Sequence, residues 1–237
     1  MATRIRRDAD IYEAEGGWFH ARWHFSFDRY RDSEWTRFGT LRVFNDDRLV
    51  PGVAWPMHPH RDIEGITYVV EGTFRHADDL ARDDELRFLP AGSVQRMTLG
   101  SGSWHSEQNT SDTEPMRFIQ MWILPAERGL PPSVDQRVFT REGRTDRLLR
   151  VVSPDGGDAV LVHQDASVYV SSMSAGVSVS HLLGDGRGAY LYVIGGAIAM
   201  NGEAMKTGDA AAVDAAPSVG IEAAKPSELI LVDVRVD

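Results

Sequence analysis

Short runs of β-branched and aromatic residues recur along the chain every eight to twelve positions, closed by Gly, Pro or Asn/Asp, with little apolar repeat of helical period. Strands are therefore the predicted elements, and their rhythm points to an all-β sandwich or barrel. Trp18 to Tyr30 is crowded with aromatics, and alternation puts Trp23, Phe25 and Phe27 on one face. Phe38 to Phe44 reads as a strand closed by a turn at Asn45-Asp46-Asp47, whose short side chains bond their own backbone. After the Pro51-Gly52 turn, a strand carrying His58 and His60 is expected to continue through Ile66 to Val70 and end at Glu71-Gly72. Asp78 to Glu85 reads as a solvated acidic loop, and Arg6-Arg7 as a solvated pair. Pro90-Ala91-Gly92 turns into a strand over 93–98, Gly100-Ser101-Gly102 leads into His105, and Phe118 to Leu124 is a further apolar strand stopped at Pro125.

The second half repeats this rhythm. Tyr190 to Gly196 parallels Thr67 to Gly72, and Thr207-Gly208-Asp209 parallels Pro90-Ala91-Gly92. Self-similarity at half the chain length predicts a duplicated barrel, divided here as 1–138 and 139–237. His163 and His181 of the second copy lack a partner at strand spacing, so only the first copy is expected to hold a metal.

Composition narrows the chemistry. The 237 residues suffice for a substantial core, and with no Cys any metal must be held by nitrogen and oxygen. A formal charge of −10 argues against a nucleic-acid partner or anionic lipid, leaving at most a small basic patch near the N-terminus. No apolar run approaches the roughly 20 residues that cross a bilayer, and a cytoplasmic location is the default expectation.

The candidate site is a pair of strands. His58 and His60 project to one face of an extended strand, as do His105 and Glu107 of another. Imidazole nitrogens and carboxylate oxygens suit a borderline divalent ion, provided the sheet brings the two strands together. Glu64 has the same strand parity, so spacing alone does not separate it from Glu107 as the carboxylate ligand. His20 and His24 share a face of their own and read as partly buried strand histidines.

Gly52, His58, His60, Glu64 and Gly72 follow the first motif of the cupin superfamily, with one extra residue before the last glycine. Pro90 and Gly92 begin its second motif, but Gln95 stands where a histidine belongs. His105-Ser106-Glu107-Gln108-Asn109 supplies the His and Asn instead, and in this the chain resembles the pirin family. The likeness extends over Thr67-Tyr68, Val94 to Met97, Gln120-Met121-Trp122, Glu127 to Leu130 and on through 184–233. It implies a bicupin of two jelly-roll barrels, the second degenerate, with His58, His60, His105 and Glu107 as metal ligands. Glu64 would then accept a hydrogen bond from a ligand imidazole.

The resemblance further implies a dioxygenase acting on a flavonol such as quercetin, with ring opening. Iron(II) is the expected ion; zinc, nickel, copper, manganese or cadmium could replace it. Glu107 or Glu64 would take the substrate's proton. The partners are then an aromatic small molecule and dioxygen, with Tyr68, Gln95, Met97, Gln120 and Trp122 as candidate pocket lining. A different class of function is a metal- or redox-sensing protein that binds a protein partner without turnover.

Overall fold

The computed structural model describes residues 2–80 and 87–236. Among these the chain forms strands and short turns of 3-10 helix, with no α-helix. The first strands are β1 (Ala2–Arg6), β2 (Tyr12–Glu15), β3 (Phe19–Trp23), β4 (Leu41–Leu49), β5 (Ala54–His60) and β6 (Glu64–Glu71). There follow β7 (Thr73–Asp78), β8 (Phe88–Pro90), β9 (Ser93–Thr98), β10 (Ser103–Asn109), β11 (Met116–Ile123) and β12 (Ser133–Val138). The second half holds β13 (Leu149–Ser153), β14 (Val160–Leu161), β15 (Ala166–Met173), β16 (Ser178–Leu182) and β17 (Arg187–Gly195). Its last strands are β18 (Ala197–Met200), β19 (Glu203–Lys206), β20 (Ala210–Asp214), β21 (Ser218–Ala223) and β22 (Ser227–Arg235).

Each half pairs a seven-stranded with a four-stranded sheet. The orders are β12-β9-β6-β11-β4-β3-β2 with β5-β10-β7-β8, then β1-β20-β17-β22-β15-β13-β14 with β16-β21-β18-β19. The second pair repeats the order of the first over β9-β6-β11-β4 and the small sheet, differing at the edge where β13 and β14 run parallel while β2 and β3 are antiparallel, and the expected all-β fold of two jelly-roll units stands. The turn glycines repeat as well: Gly72 and Gly196, and Gly92 and Gly208, all sit at positive φ, where a side chain would be strained. One strand also crosses between the halves: β1, from the start of the chain, pairs with β20 of the second half, while β12, the last strand of the first half, pairs with β9.

One apolar cluster, including Phe25, Phe44, Tyr68, Ile119, Val168, Tyr190 and Ile230, draws on both large sheets, so the halves share a core. A second fills the interior of the second jelly roll with Leu191, Val193, Leu229, Leu231 and their neighbours. Burial of such surface at about 25 cal/mol per Å² is what holds the halves together.

Five sequence expectations change here. Asn45-Asp46-Asp47 is no turn, because β4 runs straight through it and all three side chains are buried. Asp46 can remain in the interior because Arg117 donates to it from Nε at 2.9 Å and from Nη2 at 2.6 Å, and the Tyr192 hydroxyl donates at 2.6 Å. Burial works against its charge, yet these donors hold the carboxyl below its ordinary range. The histidine strand does not continue to Val70. It stops at His60, turns with Asp62 at φ 54°, and re-enters as β6 in the other sheet.

β3 likewise ends at Trp23, so Trp23 packs with Tyr12 and Tyr30 while Phe25 enters the shared core. Arg6 is buried rather than solvated, donating to the His24 carbonyl, to the Asp10 carbonyl at 2.9 Å and to the Tyr30 hydroxyl at 3.0 Å. Asp78, read as the start of a solvated loop, is buried at the end of β7. The Asp83-Asp84-Glu85 part of that loop lies outside the described residues.

Candidate metal centre

β5 and β10 are hydrogen-bonded neighbours, with His105 opposite His58 and Ser103 opposite His60. The register slips between His105 and Glu107, so that Pro56 and Met57 both lie opposite Ser106. Trp55 and His58 therefore both turn toward the interior, and the Pro56 carbonyl accepts a hydrogen bond from His58 Nδ1 at 2.7 Å. On β10 burial alternates strictly, with Ser103, His105, Glu107 and Asn109 inside. Asn109 takes no part in the centre; its amide nitrogen donates to the carbonyls of Val50 at 3.1 Å and Glu114 at 2.9 Å.

The three imidazoles of His58, His60 and His105 converge, with one ligand atom of each within 4.8 Å of the others. Their ring centroids lie 4.5 to 5.1 Å apart. Burial, reinforced by neighbouring imidazoles, pushes His60 down to about 4 and His105 down to about 2, so both rings are neutral at pH 7. Neutral rings offer lone pairs. Glu107 lies beside this trio rather than within it, its Oε1 3.6 Å from His105 Nδ1. Burial pushes its carboxyl up to about 8. His105 Nε2 and Glu107 Oε2 are buried polar atoms with no hydrogen-bond partner. Buried polar atoms are rarely left so, and a cation bound between the imidazoles would satisfy both. The residues thus fit a divalent metal.

Glu64 stands elsewhere. On β6 it is fully buried, and its carboxylate accepts from the His163 backbone N–H at 2.8 Å, from His163 Nδ1 at 2.8 Å and from the Thr98 hydroxyl at 3.1 Å. The imidazole it serves belongs to the second half rather than to the metal cluster, because the chain changes sheets between His60 and Glu64. The other histidines are likewise engaged. His24 is fully buried with Nδ1 2.7 Å from the Tyr190 hydroxyl, His20 meets Glu13 at 2.6 Å, and His181 meets Asp233 at 2.7 Å.

Two residues escaped the sequence reading. On β7, which flanks β10, His76 and Asp78 share the inward face. His76 Nε2 lies 3.1 Å from His105 Nδ1, and His76 Nδ1 lies 3.2 Å from Asp78 Oδ2. A His-x-Asp spacing was the available signal, hidden by the acidic run that follows it.

The cluster opens onto a cavity of about 570 Å³. Its walls include Phe19, Trp23, Phe27, Trp55, Phe118 and Trp122, with His58, His60 and Glu107 among them. Trp122 meets His60 edge-on at 4.6 Å between centroids. Asn45, Asp47 and Gln120 add polar groups, and the buried Asn45 Oδ1 has no hydrogen-bond partner. Burial, with Asp46 and Glu107 nearby, raises the Asp47 carboxyl well above its ordinary range. Of the pocket residues expected from sequence, Gln120 and Trp122 line the cavity. Tyr68 instead donates to Glu228 at 2.8 Å, Gln95 donates to Gln136 at 3.0 Å, and Met97 packs with Ile63 and Leu99.

Comparison with known proteins shows which family the chain is similar to. Residues 5–123 match the family model described as Pirin, and residues 150–234 match that of the quercetinase C-terminal cupin domain. A quercetin 2,3-dioxygenase of Escherichia coli is 36% identical over 233 residues, covering 97% of each chain. A pirin-like protein of Caulobacter vibrioides is 36% identical over 222 residues, covering 93% of this chain and 94% of the other. The crystal structure of bacterial pirin YhhW from Escherichia coli in complex with nickel(II) superposes with a TM-score of 0.92 at 33% identity, covering 100% of both chains. No helix among the described residues is long and apolar enough to cross a membrane. With its first half matched by the pirin model and relatives aligned along nearly its whole length, this chain belongs to the pirin family.

Proposed function

We propose that this protein is a metal-dependent 2,3-dioxygenase that opens the central ring of a flavonol such as quercetin, expelling its hydroxyl-bearing carbon as carbon monoxide, with iron(II) as the working ion. The observation that carries the reading is the convergence of three imidazoles beside an aromatic cavity that the buried Glu107 also lines. Likeness to the Escherichia coli quercetin 2,3-dioxygenase supports the substrate class. His58, His60, His105 and Glu107 would hold the ion. Once bound, it supplies Lewis acidity toward the flavonol oxygen and access to dioxygen.

The protein's own groups do the rest. Glu107, which gives up its own proton when it coordinates, would take the proton of the flavonol 3-hydroxyl. Glu64 is held by His163 and Thr98, and proton transfer falls to Glu107 alone. Trp55, Phe118 and Trp122 offer faces and edges to a planar ring system and displace water from it. Asn45, Asp47 and Gln120 offer hydrogen bonds to ring hydroxyls.

Oxygen uptake and carbon monoxide release by anaerobically iron-loaded protein given quercetin test the reading. Both are expected from the native protein and from neither a metal-free sample nor the His58→Ala/His60→Ala double variant. Equal rates in native and double-variant protein would remove the assignment.

A further inference from the structure

His105 is a buried residue with a ring nitrogen on either side of a question of tautomer. Its Nδ1 lies 3.1 Å from His76 Nε2, and its Nε2 has no hydrogen-bond partner. Only one of the two nitrogens of a neutral imidazole carries the proton. Which one it is decides whether His105 can offer a lone pair to the centre.

The chain of contacts behind His105 answers this. Asp78 Oδ1 accepts from the Leu80 backbone N–H at 3.0 Å, and Asp78 Oδ2 lies 3.5 Å from Arg87 Nη1, surroundings that favour a carboxylate. A carboxylate accepts only, so the 3.2 Å contact to His76 Nδ1 places the proton of His76 on Nδ1. In a neutral His76 ring Nε2 is then the acceptor that faces His105 Nδ1, and His105 donates to it. Nε2 of His105 is left unprotonated, and it is this atom that lacks a partner. All three side chains are buried, at 8%, 2% and 4% exposure, so water does not compete for these hydrogen bonds.

We infer that Asp78 and His76 are positioning residues that fix the tautomer of His105, presenting its Nε2 lone pair to the centre through two successive hydrogen bonds. The inference rests on the metal-dependent reading for its purpose but not for its geometry. His58 reaches the same state by a shorter route, its Nδ1 turned to the Pro56 carbonyl. The relay gives His105 an acceptor on a neighbouring strand of the same sheet, so that ring orientation and tautomer are set together.

The test compares wild type with His76→Phe, His76→Gln and Asp78→Asn. Two-bond proton–nitrogen correlation spectra of histidine-labelled, metal-free protein report the tautomer directly. Wild type should show His105 protonated at Nδ1. His76→Phe should lose that single form, and His76→Gln, whose side-chain oxygen can accept the same proton, should restore it. Asp78→Asn, nearly isosteric, keeps the test alive should the Phe variant fail to fold, and should yield a mixture. Zinc affinity, measured against a chromophoric chelator, should fall about 10–100-fold in His76→Phe and recover in His76→Gln. His105 protonated at Nε2 in wild type, or unchanged tautomer and zinc affinity in His76→Phe and Asp78→Asn, would overturn the inference. Failure of wild type to bind zinc while the tautomer responds as described would instead count against the metal reading and leave the relay in place.

Discussion

Glu64 Oε1 lies 2.8 Å from His163 Nδ1, and Glu64 Oε2 accepts from the His163 backbone N–H at the same distance. A carboxylate that sequence motifs put beside the metal thus works as a clasp between the two halves. Glu64→Ala would remove the charged acceptor shared by the His163 backbone N–H, the His163 ring and the Thr98 hydroxyl, a loss of about 1.5–3 kcal/mol. Urea denaturation should show this destabilisation, while zinc stoichiometry by elemental analysis stays at the native value. Loss of the metal with unchanged stability would reverse the assignment of Glu64.

Glu107 makes the metal-free protein sensitive to pH. Its carboxyl is raised from 4.5 to about 8 by burial. The folded state therefore keeps a proton that the unfolded chain releases, and the stability this contributes is full below about 4.5 and lost as pH rises toward about 8. Denaturation midpoints of metal-free protein at pH 5 and pH 8.5 should differ more in wild type than in Glu107→Gln. Equal pH dependence in the two proteins would place the effect elsewhere.

The same proton should appear on metal binding. At pH 7 Glu107 is protonated in the metal-free protein, so coordination through its oxygen releases close to one proton. Zinc titration calorimetry in buffers of different ionisation enthalpy counts it. Glu107→Gln should release about one fewer, and an identical count in wild type and variant would argue against Glu107 as a ligand.

Arg117 and Asp46 form a buried ion pair at 2.6 Å, and Arg117 also donates to the Ile194 carbonyl of the second half at 3.2 Å. Arg117→Met should cost about 3–5 kcal/mol, because it leaves the Asp46 carboxylate uncompensated in the interior. The Arg117→Met/Asp46→Leu double variant should recover most of that loss, since removing both charges also removes the desolvation cost. Urea midpoints of the four proteins complete the cycle.

Trp122 lies 4.6 Å from His60 and 5.3 Å from Phe27 between ring centroids, at the junction of the cluster and the cavity. Trp122→Ala should weaken flavonol binding by on the order of tenfold through lost aromatic contact. Zinc affinity should not change. Equilibrium dialysis with quercetin and zinc separately distinguishes a ligand-facing Trp122 from one that merely supports the imidazoles.

Much of this protein follows from local pattern alone. Alternation along an extended chain is enough to put His58 beside His60 and His105 beside Glu107, because a strand has no other periodicity to offer. Glycine-bearing turns at Gly72, Gly92, Gly196 and Gly208 mark the repeat, since positive φ is costly for other residues. What the linear order hid was decided by pairing. Glu64 has the parity of a ligand but crosses to the other sheet at Asp62, and parity carries no meaning between sheets. Asp46 reads as a turn residue until Arg117 and Tyr192 arrive from distant strands to receive its charge. His76 and Asp78 acquire a role only because β7 lies against β10. Local propensity is a property of neighbours in the chain, whereas burial of charge depends on partners in space, and only the folded structure supplies those.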